Sequence, residues 1–211
     1  MALPQNPHLK SFLVDTLSRH ECRRINFKWH EQHINPVGYH EVINALNNDT
    51  IGVMTSWLPH NAKAAYIASN TPDVLYGNIF VFPPSFNIGD AESRMSSVHE
   101  ATHALQDIML AGTFLRTEHE EGAAYFAGAL FNLYLPPRLR YNVASATREI
   151  WKKAHVAAMD FSNNPPSDHR VGDAAISSLT STILNDPEIA DEIRKNPVVA
   201  EDGLLPYLPP P

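Results

Sequence analysis

Residues 96–107 read SSVHEATHALQD, and the fold and function expected of this sequence follow from them. His99 and His103 lie four residues apart, and Glu100 directly follows the first histidine. On a helix, this spacing puts both imidazoles on one face, one turn apart. Two nitrogens so placed suit one tetrahedral zinc ion, which binds histidine nitrogen at about 2.0–2.1 Å. Glu100 would flank the ion, where it can hold a metal-bound water and take its proton.

The surroundings of this H-E-x-x-H pattern favour a metal site. In a chain with 11 histidines, the pattern arises by chance at a rate of roughly a few per cent. Asp90 is a candidate N-cap and Gly112 a candidate C-cap, which predicts a long helix over about 90–111. The apolar residues Val98 and Leu105 indicate that the histidines are partly buried. Buried imidazoles and carboxylates without partners are unfavourable, and a metal with its water would satisfy them together.

A catalytic zinc usually has three protein ligands and one open position for water. Downstream, residues 117–129 read TEHEEGAAYFAGA and combine several acids with a helix rich in small residues, predicted over about 119–135. A glutamate that opens such a helix after H-E-x-x-H resembles the gluzincin branch of the zincin metallopeptidases. NIFVF, residues 78–82, resembles their edge strand above the active-site helix, which can hold an extended substrate. The resemblance covers about residues 76–135, and the third histidine of metzincins is absent from ALQDIML, residues 104–110.

The resemblance implies which acid is the third ligand. In gluzincins, the ligand glutamate is typically followed by a small residue three positions on and a polar residue four positions on. Glu121 fits this pattern with Ala124 and Tyr125, and it is the predicted ligand. Glu120 is the next alternative, and Glu118 is expected to precede the helix. The simpler interpretation of these acids is a solvated helix start, where carboxylates favour the positive end of the helix dipole.

Many gluzincins carry an aspartate at the position of Tyr125, so the groups that orient the ligand histidines are unassigned. Asp107, one turn past His103, is a candidate, although a solvated helix acid is the simpler interpretation. A peptidase also needs a donor for the oxyanion of its tetrahedral intermediate. The candidate donors are Tyr125, Tyr134, Tyr141, His155 and His169. Of these, Tyr125 is predicted to be catalytic beside Glu100.

Patterns elsewhere in the chain predict an α+β fold, which the resemblance implies is zincin-like. Apolar residues at helical spacing indicate helices, and short runs of β-branched and aromatic residues indicate strands. The predicted helices cover about 7–20, 35–48, 141–160, 173–185 and 187–195, and the predicted strands cover 24–29, 50–58, 62–69 and 79–82. No repeat or linker is visible, which predicts a single domain over residues 1–211. In it, about residues 1–112 hold a small twisted sheet and the active-site helix, about 113–200 form a mainly helical part, and 201–211 form an extended tail.

The composition bounds the possible partners and compartments. With 44% hydrophobic and 18% charged residues, the chain has an ordinary soluble composition. Its net charge of −7 argues against nucleic-acid binding, which requires a basic surface. No run approaches the roughly 18 apolar residues of a membrane span, and the N-terminus lacks a signal-peptide pattern. A cytoplasmic location is therefore expected, with export by another route left open, and the single Cys22 excludes an intrachain disulfide.

These observations predict a zinc metallopeptidase. Zn²⁺ would be bound by His99, His103 and Glu121, and Glu100 would activate a metal-bound water to hydrolyse peptide bonds. The expected partner is a peptide or protein substrate, held along the edge strand by β-addition. One alternative is a zincin fold without catalytic activity that acts as a binding or structural protein. Another is a helical protein in which the pattern is accidental and binds no metal. The sequence indicates neither the substrate nor the oligomeric state.

Overall fold

The computed structural model describes residues 3–59, 62–68 and 77–200, which form seven helices and seven short strands. The helices are α1 (Pro7–Leu17), α2 (Pro36–Asn47), α3 (Ala91–Met109), α4 (Thr117–Tyr134), α5 (Glu149–Asn163), α6 (Asp173–Asn185) and α7 (Pro187–Lys195). The strands are β1 (Phe27–Trp29), β2 (Gln32–Ile34), β3 (Gly52–Thr55), β4 (Ala65–Ile67), β5 (Ile79–Phe82), β6 (Phe114–Arg116) and β7 (Val198–Ala200). Long helices with small sheets confirm the α+β class. The predicted tail over 201–211 lies outside the described residues.

The segment NIFVF, residues 78–82, lies in the middle of a three-stranded sheet and not at its edge. β5 pairs in parallel with β3 on one side and antiparallel with β4 on the other. All four of its side chains are buried, as is typical of a continuous apolar run in a central strand. Pro83 and Pro84 follow the last paired residue, Phe82, so they remove no hydrogen bond from the sheet. The edge strand beside α3 is therefore β4.

α3 begins at the predicted cap and carries the histidine motif in its middle. The side chain of Asp90 accepts a hydrogen bond from the N–H of Ser93 at 3.3 Å. The helix ends at Met109, with Leu110 as its C-cap residue. Gly112 follows with φ +82°, the left-handed conformation that favours glycine. The predicted helix is thus confirmed, although Gly112 reverses the chain just beyond the cap instead of capping the helix.

The helix expected over 141–160 begins only at Glu149. The side chain of Asn132 on α4 binds the backbone of Tyr141, which donates its N–H to Oδ1 at 2.8 Å and accepts from Nδ2 at 3.1 Å. Both backbone groups are thereby satisfied outside a helix, and a 3₁₀ turn at Val143–Ser145 follows. The other predicted helices agree with α1, α2, α6 and α7 within three residues at each end.

Three of the largest fully buried side chains lie where β1 packs against α4. The rings of Phe27 and Trp29 contact Phe126, with centroids 4.8 and 5.5 Å apart, and all three side chains are fully buried. Aromatic side chains of this size contribute a large share of the apolar surface that stabilises a fold. Cys22 is also buried, in agreement with its interpretation as a small core residue, and its thiol donates to the carbonyl of Thr16.

Small residues on α4 allow this close packing. A Cβ added to Gly122 would lie 2.6 Å from Cζ2 of Trp29, whose buried ring has no room to move aside. Gly122→Ala is therefore expected to lower the free energy of unfolding by about 1–3 kcal/mol, the usual cost of overpacking. Urea unfolding followed by circular dichroism measures this loss. In the control Gly89→Ala, the new Cβ meets only the exposed Asn87 side chain, at 3.3 Å; an equal loss there would contradict the explanation.

Candidate metal centre

α3 directs His99 and His103 toward the same point, as their spacing predicts. Their Nε2 atoms lie 3.2 Å apart, their rings are inclined by 76°, and both side chains are buried. Two imidazole lone pairs repel each other at this distance, so the pair needs either a shared proton or a cation between the nitrogens. The helix thus supplies two converging nitrogen ligands.

α4 brings Glu121 to these nitrogens from a second helix. Its Oε2 lies 3.5 Å from Nε2 of His99, and its Oε1 lies 3.5 Å from Nε2 of His103. Two ligands of a tetrahedral zinc ion with bonds of about 2.0–2.1 Å are separated by about 3.3 Å. The three side chains therefore have both the chemistry and the spacing of a zinc ligand set, and the residues fit the metal that the motif implies.

Glu120 contacts the outer ring nitrogen of His103. Its Oε1 lies 2.8 Å from Nδ1, so Nδ1 donates this hydrogen bond and Nε2 is the ring nitrogen that faces His99 and Glu121. Burial lowers the pKa of His103, but the carboxylates of Glu120 and Glu121 outweigh burial and hold this pKa well above its usual value. Glu120 therefore orients the imidazole of His103, a candidate ligand, and fills a role that the sequence leaves unassigned.

Glu118 lies inside α4, because the helix begins at Thr117 and not near residue 119. Its carboxylate is buried and pairs with Arg116. The expectation that Glu118 precedes the helix is therefore wrong. The interpretation of the three acids as a solvated helix start is also wrong, since Glu120 is buried and the side chain of Glu121 is only 15% exposed.

His99 lies in an aromatic environment. Its ring centroid is 4.4 Å from that of Tyr125 and 5.8 Å from that of Trp151. Burial holds the pKa of His99 well below its usual value, and the positive charges of His103 and Arg148 act in the same direction. Its Nδ1 has no hydrogen-bond partner among the described residues. His99 is thus a neutral imidazole, which is the form that binds metals.

Glu100 lies between the histidines and the edge strand β4. Its Oε2 accepts a hydrogen bond from the N–H of Tyr66 at 2.8 Å, and its Oε1 lies 3.8 Å from Nε2 of His99. One ligand-type atom from each of His99, Glu100 and His103 falls within 4.8 Å of the other two. A backbone group therefore holds this carboxylate beside the candidate ligands, within reach of a water between them, as a general base requires.

Asp107 binds Tyr66 and is not a solvated acid. Its side chain is buried, and its Oδ2 accepts a hydrogen bond from the hydroxyl of Tyr66 at 2.8 Å. The N–H of the same tyrosine holds Glu100, so Tyr66 ties the edge strand to α3 at two points about two turns apart. The simpler interpretation of Asp107 is thus wrong, and the residue fixes β4 against the motif helix.

A cavity of about 490 Å³ opens beside His99. Its wall includes Ala64, Tyr125, Tyr141, Arg148 and Trp151. Of the five candidate oxyanion donors, Tyr125 and Tyr141 belong to this wall, and the ring of Tyr125 contacts that of His99. Tyr134, His155 and His169 do not belong to the wall that the described residues form. Burial raises the pKa of Tyr125 well above its usual value, so its hydroxyl stays protonated and can donate a hydrogen bond.

Arg148 and Trp151 are site residues that the sequence does not mark. Arg148 pairs with Asp186 at 3.0 Å and with Glu188 at 3.7 Å, and its Cζ lies 5.6 Å from the ring centroid of Tyr125. Trp151 contacts Tyr125 edge-on, with centroids 4.7 Å apart. Both lie in a segment that reads as an ordinary helix, and only the packing of α5 against α4 brings them to the cavity.

Comparisons with models of protein families, with curated proteins and with solved structures find no match to this chain. The gluzincin resemblance therefore rests on the residues of the chain and on their geometry. Among the helices of the described residues, none combines the length and the apolar character needed to cross a bilayer.

Proposed function

We propose that this chain is a zinc-dependent metallopeptidase. His99, His103 and Glu121 hold Zn²⁺, and Glu100 is the general base. The observation that carries this proposal is the convergence of side chains from two helices: the two histidine nitrogens lie 3.2 Å apart, and each lies 3.5 Å from one of the two carboxylate oxygens of Glu121. The carboxylate of Glu100 lies beside them, 3.8 Å from Nε2 of His99. The contact between Glu120 and Nδ1 of His103 supports the proposal further. In a metal-bound histidine, the ring nitrogen that does not bind the metal usually donates its N–H to a carboxylate or carbonyl.

Zinc in such a site is a Lewis acid that lowers the pKa of water toward 7. Glu100 accepts the proton of the attacking water on the oxygen nearer His99 and then delivers it to the leaving amine nitrogen. Its other oxygen stays bound to the N–H of Tyr66, which keeps the carboxylate in place during both transfers. The protonated hydroxyl of Tyr125 donates a hydrogen bond to the oxyanion of the tetrahedral intermediate.

The peptide substrate binds along β4 in this proposal, and not along β5. β5 is paired on both sides, whereas β4 pairs only with β5 among the described residues and lies at the edge of the sheet beside α3, where the N–H of Tyr66 binds Glu100. An extended peptide pairs with such an edge through its backbone and places alternate side chains in pockets. The cavity beside His99, with Tyr125 and Trp151 in its wall, offers an aromatic surface for one of these side chains.

Zinc content is the measurement that tests this proposal. After dialysis against metal-free buffer, elemental mass spectrometry is expected to find about one zinc per chain. Hydrolysis of a fluorogenic peptide library should stop when a chelator removes the metal and should return when zinc is added. His99→Ala should lose the metal, whereas the exposed His8 makes His8→Ala a control that keeps it. A zinc content near zero that added zinc does not restore would overturn the proposal.

A further inference from the structure

Two buried carboxamides bind the helix that carries the acids of the site, and neither belongs to the wall of the cavity. Gln32 belongs to β2 and Gln106 to α3, three residues after His103, and both are at most 1% exposed. Polar side chains at such depth require hydrogen-bond partners within the protein. Their partners are each other and the first turn of α4, which carries the acids of the site.

The two amides form a short chain of hydrogen bonds. Nε2 of Gln106 donates to Oε1 of Gln32 at 2.5 Å and to the carbonyl of Glu120 at 3.2 Å. Nε2 of Gln32 donates to the carbonyl of His119 at 3.4 Å. The two carbonyls belong to consecutive residues directly before Glu121, so the amides hold the backbone from which the two functional carboxylates extend.

The orientation of both amides is determined by these carbonyls. A carbonyl oxygen only accepts, so each glutamine must direct its Nε2 toward α4, and Oε1 of Gln32 is then left to accept from Gln106. A flipped amide or a carboxylate at position 106 would set oxygen against oxygen. The arrangement therefore depends on a donor at Gln106.

Stability alone does not account for this pair. Oε1 of Gln106 is buried and has no hydrogen-bond partner among the described residues. A buried acceptor without a partner destabilises a fold, and an apolar side chain of the same length would avoid that cost. What the amide supplies in return is a link between α3, which carries His99 and His103, and α4, which carries Glu121.

We propose that the Gln32–Gln106 pair positions the start of α4 for metal binding. The pair sets where the carboxylate of Glu121 meets the histidine nitrogens and where Glu120 meets Nδ1 of His103. A metal site tolerates displacements of only about 0.5 Å in its ligands. Because Gln106 lies one turn from His103, we expect its hydrogen bonds to α4 to affect the affinity of the site for zinc. This inference rests on the proposed zinc site and assigns positioning residues to it.

The test compares zinc affinity in two variants that each lose a buried amide. Gln106→Met removes both donors and keeps the length of the side chain, and its dissociation constant for zinc is expected to rise about tenfold. Asn132→Leu is the matched control, since Asn132 is buried on α4 and binds backbone groups about three turns beyond Glu121. Its zinc affinity should equal that of the unmodified chain. Competition with a chromophoric chelator gives the dissociation constants, and circular dichroism monitors the fold.

A second variant keeps the inference testable if Gln106→Met does not fold. Gln32→Met removes the link to His119 and leaves the bond from Gln106 to Glu120, so it should weaken zinc binding less than Gln106→Met does. In the double variant, the loss of zinc affinity should be smaller than the sum of the two single losses, because the two amides share one hydrogen bond. Full zinc affinity in both single variants would overturn this inference, and so would a loss in Asn132→Leu equal to that in Gln106→Met. In either case, zinc binding by the unmodified chain would still support the proposed function. No zinc binding by the unmodified chain overturns both.

Discussion

Glu100→Gln is expected to reduce peptide hydrolysis by about 10²–10⁴-fold, the usual contribution of a general base, and to leave zinc bound. The glutamine keeps the shape of the side chain and an oxygen that can accept from the N–H of Tyr66. It cannot take a proton from water at neutral pH, so the chemical step is lost while the ligands are untouched. Initial rates on a fluorogenic peptide, with zinc content measured on the same sample, give both quantities.

The exposed Glu149 supplies the control for this experiment. Glu149→Gln changes the net charge of the chain by the same amount, on the surface of α5, and should keep full activity. Equal activity of Glu100→Gln and the unmodified chain would exclude Glu100 as the base. An unmodified chain that binds zinc and hydrolyses no peptide would instead favour the alternative of an inactive zincin fold with a binding or structural role.

Among the three glutamates of α4, replacement of Glu121 is expected to have the largest effect on metal binding. Glu121→Gln removes one of three ligands, so its zinc affinity should fall by more than the about 10–100-fold that loss of an orienting partner costs. The loss of zinc affinity in Glu120→Gln should lie within that smaller range, because this change weakens only the hydrogen bond to Nδ1 of His103. Glu118→Gln should bind zinc normally, since Glu118 pairs with Arg116. Zinc titrations of the three variants measure this order.

The three glutamates lie within one turn of α4, which makes them controls for one another. A general effect of lost acidic charge would weaken zinc binding about equally in all three variants. Zinc binding that survives in Glu121→Gln and disappears in Glu120→Gln would reverse the assignment and make Glu120 the ligand. The expected order therefore separates a direct ligand from an orienting group and from a neighbouring ion pair.

The motif helix was predictable because its determinants are local. Asp90 caps the N-terminus through a hydrogen bond within four residues, and Gly112 turns the chain after the last turn. A spacing of four on any helix puts His99 and His103 on one face, so their convergence needs no distant contact. The same holds for α6 and α7, whose apolar spacing predicts their bounds directly.

Strand order and the start of α5 depend on distant partners. A run of four apolar residues such as β5 pairs equally well in the middle or at the edge of a sheet, and its neighbours β3 and β4 decide which. Asn132 captures the backbone of Tyr141 and so delays α5 until Glu149. In the sequence, Asp107 resembles a surface acid. It is buried in the structure, where it binds Tyr66, which lies 41 residues earlier in the chain. None of these contacts leaves a local pattern.

The choice between Glu120 and Glu121 also depends on tertiary packing. The two residues are adjacent, so their side chains leave α4 about 100° apart. The resemblance to gluzincins favours Glu121, but helix spacing by itself leaves Glu120 as an alternative ligand. The rotation of α4 about its axis decides which one meets Nε2 of the histidines. That rotation is fixed by distant contacts, with Gly122 against Trp29 and the carbonyl of Glu120 on Gln106. Sequence spacing determines which residues share a helix face, whereas the packing of one element on another determines which face meets which.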